Sequence, residues 1–215
     1  MPRTRSLERE HERRTQLILA SYSVFAERGF DAVRLEDIAA SAGYSKAVVH
    51  YYFDKKEEFL VGVFQWITGT VLERLSATAA ERSPAQTRLR TQLEELFVSP
   101  RRNRRFYHVY LDFLTQSVHN PRLGRVTAGF YAGVIQALAV TIAAGCAEGV
   151  FRADLDPAGA ASVCGAMLDG LQMQWLFDRE DQFDAYRERC WASWLAYLGT
   201  AGAAAGPAGR GEGSP

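Results

Sequence analysis

The chain has 215 residues, of which 47% are hydrophobic, with 25 basic and 25 acidic side chains and no formal net charge. That length supports a substantial core plus a small module, and the charge balance excludes a protein that captures polyanions through a global basic field. Cys146, Cys164 and Cys190 are odd in number and form no C-x-x-C pair, which excludes a zinc knuckle or a disulfide framework and leaves buried reduced thiols.

The N-terminal residues are charged rather than apolar, so no secretory signal is expected. The longest apolar run, Val134 to Ala147, is interrupted by Gln136 and Thr141 and reads as too short to span a bilayer. The expectation is a cytoplasmic protein with no membrane partner, no cofactor and no metal.

In chain order, Arg3, Arg5, Arg9, Arg13 and Arg14 alternate with Glu8, Glu10 and Glu12, a pattern read as a solvated, frayed arm. From about Glu10 to Arg28, Leu17, Ile18, Ser21, Val24 and Phe25 form one stripe of an amphipathic helix that Gly29 ends. Leu35, Ile38, Ala39 and Ala42 then mark a short helix, and Gly43 suits the left-handed turn that stops it. Ser45 is placed to cap the next helix, Lys46 to Phe53, which buries Val49 and Phe53. Its other side chains are Lys46, Val48, His50, Tyr51 and Tyr52. A helix this short does not stand alone in water, and an outer face of donors and rings fits a helix-turn-helix reader of the DNA major groove. Residues 1–56 hold ten Lys/Arg and eight Asp/Glu, so such a reader depends on placed contacts rather than on bulk charge.

Asp54 is a natural cap for a long helix to about Ala80, striped by Phe59, Leu60, Val63, Phe64, Ile67, Val71 and Leu75 and linking the two parts of the chain. A helix from Ser83-Pro84 to about Phe97 is broken at Pro100, and Arg101, Arg102, Arg104 and Arg105 read as a solvated loop. In the helix from Arg104 to His119, the side chains of His108, Asp112, Thr115 and His119 share the polar face; as a metal set they are incomplete, and a solvated stripe is the expectation. Further helices follow from Pro121 to about Gly149, from Pro157 (capped by Asp156) to about Asp178, and from Phe183 to Leu198. No strand-like alternation occurs, so the fold class is all-α with about nine helices. The domains read as 1–54 for the helix-turn-helix module, 55–200 for a second, larger helical domain, and 201–215 for a Gly/Ala/Pro-rich disordered tail.

The run IAASAGYSKAVVHYYFDKKEEFL resembles the signature of the TetR family of bacterial transcriptional regulators: Ile-Ala, a Gly-hydrophobic-Ser turn, a Tyr/His-rich run, Phe and a downstream Lys, within about Leu17 to Leu60. Two departures stand out. Val33 and Arg34 replace the hydroxyl residue usual before the first short helix, and His50 replaces the first tyrosine of the reader helix. The resemblance implies base contacts from Lys46, Ala47, Val48 and His50, with Lys46 donating to guanine and the Ala47 and Val48 methyls meeting thymine. It implies phosphate contacts from Ser45, Tyr51, Tyr52 and Lys56, with Arg34 supplying charge where the hydroxyl is missing.

The family resemblance further implies a homodimer on a palindromic double-stranded operator with half-sites about 34–36 Å apart or more. Its seam would be built from the last two helices, rich in Trp175, Phe177, Tyr186, Trp191 and Trp194. A small-molecule effector cavity is implied too, drawn from Phe64, Tyr107, Tyr110, Phe113 and Phe130, and from Met167, Leu171, Gln174 and Trp175. An apolar or aromatic effector that releases the operator fits this lining; an activator, or a regulator without a ligand, is the alternative. An all-helical enzyme fares worse, because His11, His50, His108 and His119 have no recognisable Ser/Asp or Cys partner.

Overall fold

The structure, a computed structural model, describes residues 2–97 and 100–199. Among these residues nine α-helices occur: α1 Pro2–Arg28, α2 Leu35–Ala42, α3 Lys46–Tyr52, α4 Lys56–Ala79, α5 Ala85–Leu96, α6 Pro100–His119, α7 Pro121–Ala147, α8 Pro157–Leu176 and α9 Phe183–Leu198, with one 3-10 turn at Glu180–Gln182. The expected all-α class and helix number hold. The 201–215 tail lies outside the described residues.

Two boundaries differ from the sequence reading. The arginine-rich start is not an arm but the first turns of α1, in keeping with the helix-forming tendency of Arg and Glu. The basic run at Arg101–Arg105 is likewise helical, since Pro100 opens α6 instead of breaking the chain; proline at the first helical position gives up no hydrogen bond.

The chain forms two compact units. One gathers α1 to α3, α4 as far as Glu73, α6, and α7 as far as Ala132; the other gathers α4 from Arg74, α5, α7 from Gly133, α8 and α9. The sequence division at residue 54 marks the end of a motif, whereas packing keeps the start of α4 and α6 with that motif.

The first unit is organised by aromatic packing. Phe53 stacks on Phe59 with ring centroids 3.8 Å apart, Phe64 stacks on Phe113 at 3.8 Å, and Phe25 meets Phe30 at 5.5 Å. All six rings are buried, and each such pair adds about 0.5–1.5 kcal/mol beyond its area burial.

The second unit buries polar side chains that donate across helices, with Arg88 Nε and Gln92 Oε1 left without a hydrogen-bond partner. Gln92 is fully buried, and its amide donates to the carbonyls of Leu75 in α4 (3.1 Å) and Ala137 in α7 (3.2 Å). Arg88, also buried, donates to the Ala79 carbonyl at 2.8 Å and to Glu148 at 3.3 Å. The second Glu148 oxygen accepts the Ala85 N–H at the start of α5 (2.9 Å), where the helix leaves donors unpaired. Asp156 caps α8 through the Ala158 and Gly159 N–H groups.

Trp175 and Trp194 are completely buried in this unit, and the Trp194 indole donates to the Cys164 carbonyl at 2.9 Å. They are core residues of one chain, which corrects their assignment to an intersubunit seam. Phe177, by contrast, is 82% exposed. Burial pushes the Cys164 and Cys190 thiols up to about 12, so they are inert at neutral pH.

The apolar run in α7 also needs correction. Extended from Pro121, the helix is long and apolar enough by length and composition to cross a membrane. A core helix passes the same test, and Leu123, Val134, Leu138 and Ile142 are buried in their units.

Gly145 in α7 is a close-approach position: a Cβ there would lie 2.1 Å from the buried Phe151 ring. Gly145→Ala is therefore expected to lower stability by about 1–3 kcal/mol. Gly69→Ala, whose Cβ meets nothing within 4 Å, should leave stability equal or raise it by up to about 1 kcal/mol. Thermal unfolding of both variants followed by far-UV circular dichroism checks the contrast, and an unchanged midpoint for Gly145→Ala would contradict the packing.

Candidate nucleic-acid interface

Local chemistry builds the reader. Gly43 ends α2 with φ +71°, in the left-handed region, and the Tyr44 N–H reaches back to the Ala39 carbonyl at 2.9 Å. Ser45 then caps α3, its hydroxyl accepting the Val48 N–H at 3.4 Å. At the other end of α2, the Asp37 carboxylate accepts the Arg34 N–H at 2.8 Å and an Arg28 N–H at 2.8 Å. These contacts, the backbone bond first, hold its pKa below the ordinary aspartate range.

The seven residues of α3 divide cleanly. Val49 is fully buried and Phe53, just past the helix, is buried against Phe59. Lys46, Ala47, His50 and Tyr51 are exposed, Val48 and Tyr52 are half-buried, and Arg34 and Ser45 are exposed. Every residue expected at DNA except Lys56 thus lies in one contiguous segment around α3 or at the start of α2.

The reader face is not idle. The Lys46 ammonium lies 2.5 Å from the Glu36 carboxylate, and the Tyr51 hydroxyl donates to Glu10 of α1 at 3.2 Å. Tyr44 donates to Gln16 of α1 at 2.5 Å, and the Arg14 guanidinium sits 5.1 Å above the Phe53 ring. The Lys46 hydrogen bond leads the causes that lower Glu36 below the usual glutamate range, and the Glu10 bond leads those that push the Tyr51 hydroxyl up. Glu10, Gln16 and Glu36 were missed in the sequence because their roles depend on pairs up to 41 residues apart.

Lys56 does something the motif does not reveal. Its ammonium donates to the Phe30 carbonyl at 2.7 Å and lies 4.2 Å over the Phe30 ring. The N–H of the same residue, Phe30, donates to Asp112 of α6 at 2.7 Å. Asp112, expected in a solvated stripe, is half-buried and clamps the turn between α1 and α2. In this structure the Lys56 ammonium is turned toward that turn's carbonyls rather than standing free.

The expected effector residues fall into two sets. Phe64, Tyr107, Tyr110 and Phe113 are buried and Phe130 half-buried in the first unit, where Phe64 lies 6.1 Å from Tyr110 and 5.7 Å from Phe130, and the Tyr110 and Tyr131 hydroxyls are hydrogen-bonded. In the second unit Trp175 is buried, Met167 and Leu171 are half-buried, and Gln174 is exposed. Gln174 therefore does not serve as a polar handle inside its own unit; the tyrosine hydroxyls of the first unit are the better-placed polar groups. Among the described residues no group of three His, Cys, Asp or Glu side chains is gathered to hold a metal.

Comparison with known proteins bears on this arrangement. Residues 17–63 match the family model described as bacterial regulatory proteins, tetR family, and residues 85–200 match that of the BetI-type transcriptional repressor C-terminal domain. The transcriptional regulator BetI of Burkholderia thailandensis is 30% identical over 173 residues, 75% of this chain and 80% of that protein. With the regulator CymR of Pseudomonas putida the chain shares 30% identity over 88 residues, so the match spans about two fifths of each (41% and 43%). A transcriptional regulator from Saccharomonospora viridis, solved in complex with choline, superposes with a TM-score of 0.78 at 28% identity, covering 86% of this chain and 96% of that one.

The Lys56 geometry yields a test that separates a structural role from a DNA-contacting one. Lys56→Ala removes a charge-assisted hydrogen bond and a cation–π contact, and should cost about 1–3 kcal/mol of stability in the absence of any DNA. A chemical-denaturation midpoint unchanged by the substitution would show that the clamp on Phe30 carries no weight.

Proposed function

The chain belongs to the TetR family of bacterial regulatory proteins, and from that premise we propose that it is a cytoplasmic, dimeric, sequence-specific DNA-binding repressor, released from a palindromic operator by a small-molecule effector. The functional division follows the sequence reading: residues 1–54 read DNA, and residues 55–200 bind the effector and dimerise. The observation that carries the proposal is the exposed face of α3, where Lys46, Ala47, His50 and Tyr51 stand outward from a helix anchored by Val49 and Phe53.

On this reading Lys46, Ala47, Val48 and His50 meet base edges, and Arg34, Ser45, Tyr51 and Tyr52 meet phosphates. Lys56 supports them by fixing the turn and can add a phosphate contact through its remaining N–H. Pairing of two subunits would use the outward side of α8 and α9, where Val163 and Phe177 are exposed; burying an apolar ring of this kind favours association. Release is a population shift: the effector binds better to the form whose readers are wrongly spaced, and DNA weakens effector binding by the same factor.

The ring cluster around Phe64 supports an apolar or aromatic effector. A second reading has its own support, an organic cation held against ring faces, since the S. viridis neighbour binds choline and Phe64, Tyr110 and Phe130 supply such faces here.

Electrophoretic mobility shifts with duplexes selected from a random library test the DNA claim, and titration of choline and of small aromatic compounds tests release. Absence of any shift at low salt would end the first, and a shift that no small molecule reverses would end the second. Lys46→Ala should lower discrimination between selected and mixed-sequence duplex by about tenfold. Equal loss on both duplexes would show that Lys46 does not read bases.

A further inference from the structure

Two donors of the reading face are already occupied by carboxylates of the same unit. Lys46, at the first position of α3, is paired with Glu36 of α2 at 2.5 Å, with both side chains more than half exposed (59% and 53%). Tyr51, 72% exposed, is bonded through its hydroxyl to Glu10 of α1 at 3.2 Å. The other acidic group beside the start of α2, Asp37, is instead consumed by Arg28 and the Arg34 N–H. Each of the two carboxylates presents oxygen acceptors where duplex DNA would present its own.

We propose that Glu36 and Glu10 hold down the affinity of the DNA reader, acting as tethered competitors that Lys46 and Tyr51 must release before either can bind DNA. The proposal rests on the DNA-reading role of α3 given above. An exposed ion pair is weak, on the order of 0.2–1 kcal/mol, so displacement is cheap but not free. A mixed sequence offers Lys46 one phosphate oxygen, an acceptor little better than the carboxylate it replaces, and leaves Glu36 unpaired beside the DNA charge. A guanine edge offers two acceptors in a desolvated groove and outbids the carboxylate. The cost of releasing the carboxylate falls on every duplex that engages the donor, so the two residues lower affinity for DNA in general and do not sharpen the choice among sequences.

The experiment uses the full chain, a duplex selected by it from a random library, and a mixed-sequence duplex, read by fluorescence anisotropy over a salt series. Glu36→Gln should tighten mixed-sequence binding by up to on the order of fivefold, tighten the selected duplex at least as much, and steepen the mixed-sequence salt slope by about one unit as Lys46 is freed for phosphate. In a Lys46→Ala background the same substitution should have a clearly smaller effect, only the loss of carboxylate–phosphate repulsion remaining. Glu10→Gln should also tighten both duplexes, with less change in salt slope because the Tyr51 phenol is uncharged, and its effect should shrink in a Tyr51→Phe background. All four positions are exposed or half-buried, and unchanged thermal midpoints confirm folding. A Glu36→Gln effect that persists undiminished without Lys46 would make the residue a mere source of repulsion and overturn the proposal, as would unchanged mixed-sequence affinity. A native chain that binds neither duplex sinks the DNA reading itself and the proposal with it, whereas native binding with unaltered variants sinks only the roles of Glu36 and Glu10.

Discussion

The turn at Phe30 is held from three sides, and the reader's position depends on it. The Phe30 N–H is taken by Asp112 of α6, its carbonyl by Lys56 at the first position of α4, and its ring by Phe25 of α1 and the Lys56 ammonium. Helices of eight and seven residues such as α2 and α3 gain almost nothing from intrinsic propensity and take their stability from what they pack against. With the backbone of Phe30 satisfied at both ends, the chain enters α2 in one direction. Val49, Ile38 and Phe53 then fall into a core already built by α1 and α4. The reader is therefore a property of the whole first unit, not of a 54-residue module closed in itself.

That constraint gives α6 a double role inside the unit. Asp112 grips the turn, and its close neighbours Tyr110 and Phe113 belong to the ring cluster with Phe64 and Phe130. Interiors packed with stacked rings do not deform continuously; they shift between discrete arrangements. A change of rotamer in that cluster and a change of register at Phe30 would be carried by the same turns of helix, without any separate relay. Coupling of this kind needs only that both ends bias one element.

What could be read from sequence was what physical chemistry decides locally. Gly43 needed a positive φ, Ser45 needed a neighbouring N–H three residues on, and Asp156-Pro157 needed only its own first turn; all three act within a few residues. The apolar stripes were legible for the same reason, because helical period alone selects the buried face. Residues whose partners are distant in sequence were not. The motif supplies the Lys56 ammonium but not the carbonyl 26 residues away that accepts from it, so its hold on Phe30 could not be read. Asp112 looked solvated because its partner is 82 residues away. Trp175 and Trp194 looked like seam residues because burial cannot be apportioned between self and partner from hydrophobicity alone, and the Cys164 carbonyl that receives the Trp194 indole lies on another helix. Arg88 and Gln92, in a helix that reads as polar, are buried because backbone carbonyls of α4 and α7 take their protons.

The zero net charge of the chain gains a physical meaning from these placements. Several acidic residues of the first unit have specific partners. Asp37 closes the start of α2, Asp112 holds the turn, Glu27 pairs with Arg105, and Glu10 and Glu36 sit on the reader's donors. A strongly basic reader binds every sequence, because phosphate contacts carry most of the affinity and none of the information. Neutralising the donors one at a time lowers that common term while leaving the geometry of α3 intact. In the dimer proposed above, affinity for a correct site would come from base edges and from a second reader, and both would favour a palindrome over arbitrary DNA. A near-neutral composition, which at first argues against a nucleic-acid partner, is what a selective reader of modest intrinsic affinity requires.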